Sequence, residues 1–352
     1  MAVKVLICGG ATAGHLEPAL NVAYELKSKG ALVEFVGTRR GLDQKLINAA
    51  GFPLHLIIPV PLPRSLNLST LIFPLKLIVA IIQSVSICRR YRPNTIIGFG
   101  SFVALPVYLA SRILGIPLVI HEANAKAGIA NRIGARIALQ KFQAVEDSLS
   151  GAETVGIPLR SIYNDFDSKL LRARALEEFR LDPSRRTILI FGGSQGARHI
   201  NDVVNAISSQ LTAEKFQLLH IVGNKNSDQM SQREHHHYFE YVGDMSLAYA
   251  VADLAVCRSG ALSVAEISAT NTPAIFIPFP IGNGEQEKNA ESRVSQGAAR
   301  LLLDKDLHED ALLVEIQSAL VNLDAMKKAG EFEMPLNATS TITDSILQVA
   351  KS

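Results

Sequence analysis

The chain repeats one pattern, an apolar run followed by a glycine-rich turn and a helix, and this pattern strongly restricts its possible folds. Residues 3–8 are apolar except for Lys4 and lead into the glycine turn at 9–15, after which residues 18–29 have helical spacing. The same order recurs where residues 187–191 precede the turn at 192–197. Strands that alternate with helices form parallel sheets, because a parallel connection needs a crossover. The sequence therefore predicts an α/β fold of two Rossmann-like, doubly wound domains that face a cleft.

The change from the first domain to the second is expected near Arg160. Residues 155–160 follow the last apolar run of the first half, and residues 163–186 are mostly polar. A final helix at 340–350 has one apolar face and can pack back on the first domain. We therefore predict a first domain of residues 1–159 plus a C-terminal helix at 336–352, and a second domain of residues 160–335.

Composition and charge narrow the class of protein. With 352 residues, 48% hydrophobic and 19% charged, the chain can bury two cores. Its three cysteines (Cys8, Cys88 and Cys257) are far apart, which argues against a disulfide framework or a zinc site and fits a reducing cytoplasm. Lys and Arg outnumber Asp and Glu by 16 to 8 in residues 1–159, whereas residues 160–352 carry 19 against 25. The basic first half is expected to face an anionic partner, but no motif for nucleic acid is present.

One segment suggests contact with a membrane. Leu71 to Cys88 is apolar and is followed by Arg89-Arg90-Tyr91-Arg92. Polar interruptions, together with Pro74, argue against a helix that spans the bilayer. Two alternatives remain open: a helix that lays its outer face on a membrane with a basic rim, and an ordinary core helix.

The stretch from Leu254 to Glu266 is a further strand, small-residue turn and helix. Such a turn presents backbone N–H groups and a positive dipole end, which suit a phosphate group. Glu266 could accept hydrogen bonds from the vicinal hydroxyls of a sugar. Alternatively, Ser263 and Glu266 fit a capping box that needs no ligand.

Three consecutive histidines at 235–237 look like a metal cluster. Neighbouring residues of regular structure cannot all face one ion. We therefore expect these histidines to form an exposed loop and not a metal site.

Six segments, taken in order, resemble the MurG family of bacterial glycosyltransferases, which add N-acetylglucosamine to a lipid-linked muramyl-peptide during peptidoglycan synthesis. Each segment alone is a weak signal, but all six in family order across nearly the whole chain are very specific. The segments are Gly9–Pro18, His121–Asn124, Gly156–Arg160, Gly192–Ala197, Cys257–Glu266 and Gly282–Gln286.

The resemblance implies a GT-B fold with UDP-GlcNAc in the second domain and the lipid acceptor in the first. It also implies inverting transfer to the 4-hydroxyl of a MurNAc-pentapeptide on undecaprenyl pyrophosphate, with no cofactor and no metal. The enzyme would lie peripherally on the cytoplasmic face of the cell membrane. Its partners would be the anionic membrane surface and other cell-wall synthesis proteins, and not nucleic acid.

Carried onto this sequence, the family pattern gives a set of substrate-binding residues: Thr12, Ala13, Gly14, Asn124, Arg160, Ser194, Val242, Ala261, Leu262, Ser263, Val264, Ala265, Glu266 and Gln286. In that scheme Glu266 binds the uridine ribose, Gln286 binds hydroxyls of the sugar, and Val242 contacts the uracil through its backbone. The acceptor loop is Gly98, Gly100 and Ser101, where Ser101 replaces a glycine that the family usually has.

His15 is our first candidate for the catalytic base, and Glu122 is the second. A structural role for His15, in which its ring holds the first glycine loop, is an equal alternative. Two other functions share the fold or the site: a UDP-GlcNAc 2-epimerase, which would need no membrane face, and a non-catalytic scaffold that binds nucleotide sugars. The presence of Glu266, Gln286 and His15 disfavours the scaffold.

Overall fold

The structure, a computed structural model, describes residues 2–10, 12–61, 68–193, 196–230, 233–280, 284–331 and 337–351, with side chains at 68–70 outside the description. The chain divides into two compact units. The first comprises Met1–Arg160 and Pro335–Ser352, and the second comprises Ser161–Met334.

The first unit is a parallel sheet covered by helices on both faces. Its strands are β1 (Lys4–Cys8), β2 (Leu32–Gly37), β3 (Leu54–Leu56), β4 (Thr95–Gly98), β5 (Leu118–Glu122), β6 (Gln140–Gln143) and β7 (Glu153–Thr154). Its first helices are α1 (Ala13–Ser28), α2 (Asp43–Ala49), α3 (Leu68–Tyr91), α4 (Ser101–Leu114) and α5 (Ile129–Gly134). The strand order is β3-β2-β1-β4-β5-β6-β7.

The second unit repeats this architecture, which confirms the predicted α/β class. Its strands are β8 (Arg186–Phe191), β9 (Phe216–Ile221), β10 (His236–Phe239), β11 (Ala252–Cys257), β12 (Ala274–Phe276) and β13 (Ala299–Leu301). Its helices are α6 (Ser168–Glu178), α7 (Arg198–Ala213), α8 (Met245–Val251), α9 (Ala261–Ala269), α10 (Glu285–Ser295), α11 (Glu309–Val321) and α12 (Leu323–Ala329). The strand order is β10-β9-β8-β11-β12-β13.

The last helix, α13 (Ala338–Val349), belongs to the first unit, where it packs against α1. Ile342 and Ile346 on α13 lie in one core cluster with Val5 and Ile7 of β1. Leu6, between those two strand residues, faces the opposite core with α3 and α4. Both faces of β1 are covered, which agrees with the continuously apolar sequence from Val5 to Cys8.

The strand orders place the glycine turns at the reversal point of each sheet. In the first unit β1 lies between β2 and β4, so the turns that follow β1 and β4 are neighbours. In the second unit β8 lies between β9 and β11, so the turns after β8 and β11 are neighbours. Open parallel sheets bind ligands at this position, outside the carboxyl ends of the strands. In each unit, this edge of the sheet is therefore a candidate ligand-binding site.

Helix α1 begins five residues earlier than the predicted start at Pro18. Thr12 is its N-cap residue and Ala13 its first residue, so Gly14 and His15 lie in the first turn. The prediction placed residues 9–15 in the glycine turn, whereas the structure makes Gly14 and His15 helical. Pro18 is the sixth residue of α1, so the helix lacks the backbone hydrogen bond that an N–H at this position would make to the Gly14 carbonyl.

Helix α3 exposes an apolar stripe, which favours the membrane-facing alternative over an ordinary core helix. Leu71 is 78% exposed, Leu75 64% and Ile82 62%, and these residues repeat at helical spacing with Ile78. The opposite face of α3 packs on α4. By length and composition alone, residues 71–91 could cross a membrane.

The prediction of an exposed loop at residues 235–237 is wrong for His237, which is half-buried in β10, and for His236, which is fully buried there. Its Nε2 atom lies 3.1 Å from Nδ1 of His220, whose Nε2 lies 3.1 Å from Oδ1 of Asn201. On the other side, Nδ1 of His236 lies 3.0 Å from the hydroxyl of Tyr238. With both rings neutral, each imidazole can donate one hydrogen bond and accept another in this series of side chains. Only the tertiary structure supplies these partners.

We expect acid to destabilise the protein through this histidine pair. Burial lowers the pKa of His220 to about 3 and that of His236 to about 2, whereas both are near 6.5 in the unfolded chain. The free energy of unfolding is therefore unaffected by these two groups above about pH 6.5, where both are neutral in the folded and the unfolded chain. It decreases as the pH falls towards about 3. Each histidine adds up to about 1.4 kcal/mol per pH unit to the slope of the unfolding free energy.

Urea unfolding at several pH values measures this slope. His236→Asn should flatten the slope relative to the wild type. His235→Asn is the matched control, because His235 already has a positive φ of 56° that asparagine tolerates. Equal slopes in the two variants would refute the assignment to the buried pair.

Candidate active site

The first glycine turn packs closely on a buried carboxylate. A Cβ atom on Gly10 would lie 2.7 Å from both carboxylate oxygens of Asp43. Asp43 is itself buried and accepts a hydrogen bond of 2.7 Å from the backbone N–H of Thr38. Only glycine therefore fits at position 10, and Asp43 fixes the distance between the turn and α2.

His15 is held by the residue that begins its helix. The hydroxyl of Thr12 lies 2.9 Å from Nδ1 of His15 and makes no capping bond to the helix backbone. Fixing Nδ1 in this way directs the other ring nitrogen, Nε2, away from Thr12. If Nδ1 carries the proton, Nε2 presents a lone pair and can act as a base. Ala13 and Gly14 are half-buried beside it.

The acceptor loop after β4 is shaped by Tyr108. A Cβ atom on Gly98 would lie 2.1 Å from the Tyr108 hydroxyl, so this position requires glycine. The Tyr108 hydroxyl accepts the N–H of Gly100 at 3.3 Å and donates to Oδ1 of Asn131 at 2.8 Å. Ser101 has a φ of 70°. A non-glycine residue with a positive φ costs about 1 kcal/mol.

Glu122 is buried and fully engaged by N–H donors. Its Oε1 accepts from the backbone and side-chain amides of Asn124 at 2.9 and 3.2 Å. Its Oε2 accepts from Gly128 N–H at 3.0 Å and from the Asn131 amide at 2.9 Å. Through Asn131 the carboxylate is linked to Tyr108 and the acceptor loop. This geometry favours a positioning role for Glu122 over that of the base.

Arg160 is the last residue of the first unit and lies near α1. Burial raises the pKa of Glu17, and the charge of Arg160 acts in the opposite direction. The guanidinium is therefore within electrostatic range of the Glu17 carboxylate. Glu17 was not among the residues predicted from the sequence.

The glycine turn after β8 is closely packed on the neighbouring strand. Gly196 has a φ of 81°, and a Cβ atom there would lie 2.0 Å from the carbonyl oxygen of Val222. A Cβ atom on Gly192 would lie 2.6 Å from the backbone nitrogen of Ala197. Ser194, the predicted contact in this turn, lies outside the described residues.

The capping-box alternative for residues 263–266 is wrong. Helix α9 begins at Ala261 with Gly260 as its N-cap residue, and no side chain caps it. Ser263 is therefore inside the first turn, and Glu266 is one turn further on. The first turn has no acidic residue. Ser263 and Glu266 have the spacing of a capping box, but the helix begins three residues earlier than such a box would need.

Glu266 is oriented by a buried tyrosine. The Tyr249 hydroxyl donates to Oε2 of Glu266 at 3.0 Å. Burial, with the charge of Glu266, raises the pKa of Tyr249, so the phenol stays protonated as a donor. The Tyr249 ring packs edge-on against Phe191 of β8. Leu262, Val264 and Ala265 complete the start of α9; Ala265 is buried and the other two are half-buried.

The remaining predicted residues lie at the same sheet edge of the second unit. Val242 is half-buried in the segment between β10 and α8. Gln286 is in the first turn of α10, and its Oε1 accepts the backbone N–H of Phe279 at 2.9 Å. That bond directs the amide NH₂ of Gln286 away from Phe279. Arg258, just before the turn, is buried and paired with Asp304.

Three supporting residues were missed from the sequence: Tyr108, Asn131 and Tyr249. Asn131 is 9 residues from Glu122, and Tyr249 is 17 residues from Glu266. No local pattern connects a side chain to a partner at such a separation.

Within the described part of the chain, no group of three His, Cys, Asp or Glu residues is placed to hold a metal ion.

Comparison with protein families gives two matches that together cover most of the chain. The glycosyltransferase family 28 N-terminal domain matches residues 5–143. The glycosyltransferase family 28 C-terminal domain matches residues 187–348.

Curated relatives match nearly from end to end. One from Corynebacterium diphtheriae is 41% identical over 353 residues, which cover 99% of this chain and 98% of that protein. One from Nocardia farcinica is 42% identical over 340 residues, which cover 93% and 90%. Both are named UDP-N-acetylglucosamine–N-acetylmuramyl-(pentapeptide) pyrophosphoryl-undecaprenol N-acetylglucosamine transferase.

Solved structures agree with this likeness. The crystal structure of Acinetobacter baumannii MurG has a TM-score of 0.77 at 26% identity and covers 99% of this chain and 100% of that chain. A UDP-GlcNAc 2-epimerase from Neisseria meningitidis, bound to UDP-GlcNAc, has a TM-score of 0.66 at 14% identity, with 99% and 100% covered. The epimerase shows the fold alone. The predicted GT-B fold is thereby confirmed.

Proposed function

Because this chain belongs to glycosyltransferase family 28 and, within it, to the MurG enzymes, we propose that it transfers N-acetylglucosamine from UDP-GlcNAc to lipid-linked muramyl-pentapeptide. The acceptor is the 4-hydroxyl of the MurNAc residue on undecaprenyl pyrophosphate, and the anomeric carbon inverts. The observation that carries this proposal is the uncapped start of α9 with Glu266 one turn behind it. An uncapped helix start and a carboxylate suit a diphosphate and a ribose respectively.

The donor is proposed to bind along the carboxyl edge of the second sheet. Backbone N–H groups at Ala261–Ser263 receive the diphosphate, and Glu266 receives the ribose hydroxyls. Val242 contacts the uracil through its backbone. The directed NH₂ group of Gln286 suits a sugar hydroxyl. Ser194 is proposed as a further donor contact.

The acceptor is proposed to bind along the carboxyl edge of the first sheet. Gly98, Gly100 and Ser101 form a small, polar loop that lets the backbone approach a pyrophosphate. Thr12–Gly14 and Asn124 lie at the turns of the same sheet edge, where they can contact the transferred sugar.

The mechanism requires a base on the attacking hydroxyl and stabilisation of the departing UDP. We assign the base to His15, whose Nδ1 is held by Thr12 and whose Nε2 is thereby oriented. The positive end of α9 and the charge of Arg160 stabilise the diphosphate as the glycosidic bond breaks. Glu122 holds the acceptor loop through Asn131 and does not take the proton.

The enzyme is proposed to dock on the cytoplasmic face of the membrane through α3. The exposed stripe of Leu71, Leu75, Ile78 and Ile82 provides apolar area, and Arg89, Arg90 and Arg92 provide charge opposite to anionic lipids. Since both the acceptor and the product stay in the membrane, other cell-wall synthesis enzymes are proposed partners at the same membrane surface.

We expect changes on this stripe to weaken membrane binding. Leu75→Ser with Ile82→Ser should lower partition onto vesicles of anionic phospholipid by at least about tenfold, since each change removes buried apolar area. Reversal of Arg89, Arg90 and Arg92 to Glu should also lower it, and salt should abolish the difference. Cosedimentation measures the partition.

The matched control uses Val314 and Val321, which are 60% and 85% exposed on α11 of the second unit. Their replacement by serine should leave partition unchanged. Equal partition of the α3 variants and the wild type would refute docking through α3.

The test of the function is incubation with labelled UDP-GlcNAc and lipid-linked muramyl-pentapeptide. Transfer predicts label in the lipid fraction that depends on the acceptor. An epimerase would instead convert UDP-GlcNAc to its 2-epimer without acceptor, and a scaffold would bind the donor without turnover. Either of those outcomes would refute the proposal.

A further inference from the structure

The segment that carries Arg160 is clamped to the first unit by its own carbonyl oxygens. Residues 155–160 belong to no strand or helix, so their carbonyls have no partners within a sheet. Nε2 of His121 on β5 lies 2.8 Å from Gly156 O, and Nδ2 of Asn21 on α1 donates to Pro158 O at 2.9 Å. The hydroxyl of Thr339 on α13 donates to Leu159 O at 3.2 Å. Three different elements therefore fix the path of this backbone up to Arg160.

The turn at the start of the segment adds to this restriction. Gly156 has a φ of 83°, which bends the chain where His121 holds it. His121 is fully buried, and burial lowers its pKa, so the ring is neutral. Its ring also packs against Phe99 of the acceptor loop, with centroids 5.7 Å apart. The clamp is thus continuous with the core beneath the proposed acceptor site.

One face of α1 holds the backbone just before Arg160 and carries a carboxylate within electrostatic range of the Arg160 side chain. Glu17 and Asn21 are four residues apart, so they share one face of the helix. Asn21 holds the carbonyl two residues before Arg160, and Glu17 is within electrostatic range of its guanidinium. The hydrogen bond from Asn21 and the carboxylate of Glu17, both on one helix face, restrict the position of the guanidinium.

We propose that Asn21 and Thr339, together with His121, are positioning residues for Arg160 in the transfer reaction. They fix its backbone so that the guanidinium meets the diphosphate of the departing nucleotide. A displacement of about 1 Å in such a group can cost about 10²-fold in rate. This inference rests on the proposed function, in which Arg160 contacts that diphosphate. It also gives a function to the return of α13 to the first unit, because α13 supplies the donor for Leu159 O.

The experiment compares variants of Thr339 and Asn21 in the full-length enzyme, with kcat/KM for UDP-GlcNAc as the readout. Thr339→Val keeps the shape but removes the hydroxyl, and it should lower kcat/KM by about 5- to 20-fold, as should Asn21→Ala. Thr339→Ser keeps the hydroxyl and should stay within about twofold of the wild type. Ser340→Ala is the matched control, because that hydroxyl donates to Asn337 O of its own helix start.

A double-mutant cycle with Arg160→Ala separates positioning from general stability. Arg160→Ala alone should lower kcat/KM by about 10²-fold, and Asn21→Ala or Thr339→Val should add less than about twofold in that background. Losses of equal size in both backgrounds would overturn the positioning role, as would an unchanged kcat/KM for Thr339→Val. If Arg160→Ala itself left donor kinetics unchanged, the proposed diphosphate contact of Arg160 would fail instead.

Discussion

Replacement of His15 by alanine is expected to lower kcat at saturating UDP-GlcNAc by about 10²- to 10⁴-fold, the usual contribution of a general base. The Thr12 hydroxyl fixes Nδ1 of His15 at 2.9 Å, which leaves the direction of Nε2 defined. The KM of the donor should change much less, because the base acts on the acceptor hydroxyl. Steady-state kinetics with both substrates measures the two constants.

His15→Gln distinguishes the base from the structural alternative. Glutamine can hydrogen-bond to Thr12 but cannot accept a proton near neutral pH, so this variant should be as slow as alanine. Added imidazole should restore part of the activity of His15→Ala, because alanine leaves space for it. A nearly normal rate for His15→Gln would show that the ring only holds the loop.

The second large effect is expected at the ribose. Glu266→Ala should raise the KM for UDP-GlcNAc by about 10- to 150-fold, since a hydrogen bond to a charged group contributes about 1.5–3 kcal/mol. Tyr249→Phe should raise it less, because it removes only the hydroxyl that donates to Glu266 at 3.0 Å. Thermal unfolding of Tyr249→Phe should stay close to the wild type, because the ring keeps its packing against Phe191. Glu266→Ala should unfold at a slightly lower temperature, because the buried Tyr249 hydroxyl loses its acceptor.

A donor that lacks the ribose 2′-hydroxyl makes this test specific. The wild type should bind 2′-deoxy-UDP-GlcNAc more weakly than UDP-GlcNAc, whereas Glu266→Ala should bind the two donors equally. Equal discrimination by the two enzymes would reject the ribose assignment. Both measurements can use equilibrium binding, so they do not depend on turnover.

Several features of the second unit could be predicted because they depend on neighbours in sequence. The apolar run that ends at Cys257 and the small residues at Ser259–Ala261 correctly predicted a strand, a turn and a helix start. The partner of Glu266 could not be predicted. A capping box and a ribose site use the same spacing, and the choice depends on where the helix begins and on Tyr249, 17 residues away.

Polar residues in the core show the same limit. His236 was expected in an exposed loop because three consecutive histidines cannot all face one metal ion. Its partner His220 comes from the adjacent strand β9, and the pairing of β9 with β10 brings the two rings together. Hydropathy along the chain contains no information about that pairing.

By itself, the sequence determined the alternation of strands and helices, the glycine turns and the family, because these depend on short-range pattern and on the order of motifs. The tertiary structure decided where α1 begins, which polar groups are buried and what holds the segment before Arg160. The clamp on that segment joins Asn21, His121 and Thr339, and Thr339 lies 180 residues from the carbonyl it holds. Such contacts exist only after the strand order has been fixed and α13 has packed on α1, since long-range hydrogen bonds follow from packing and leave no periodic signal in the sequence.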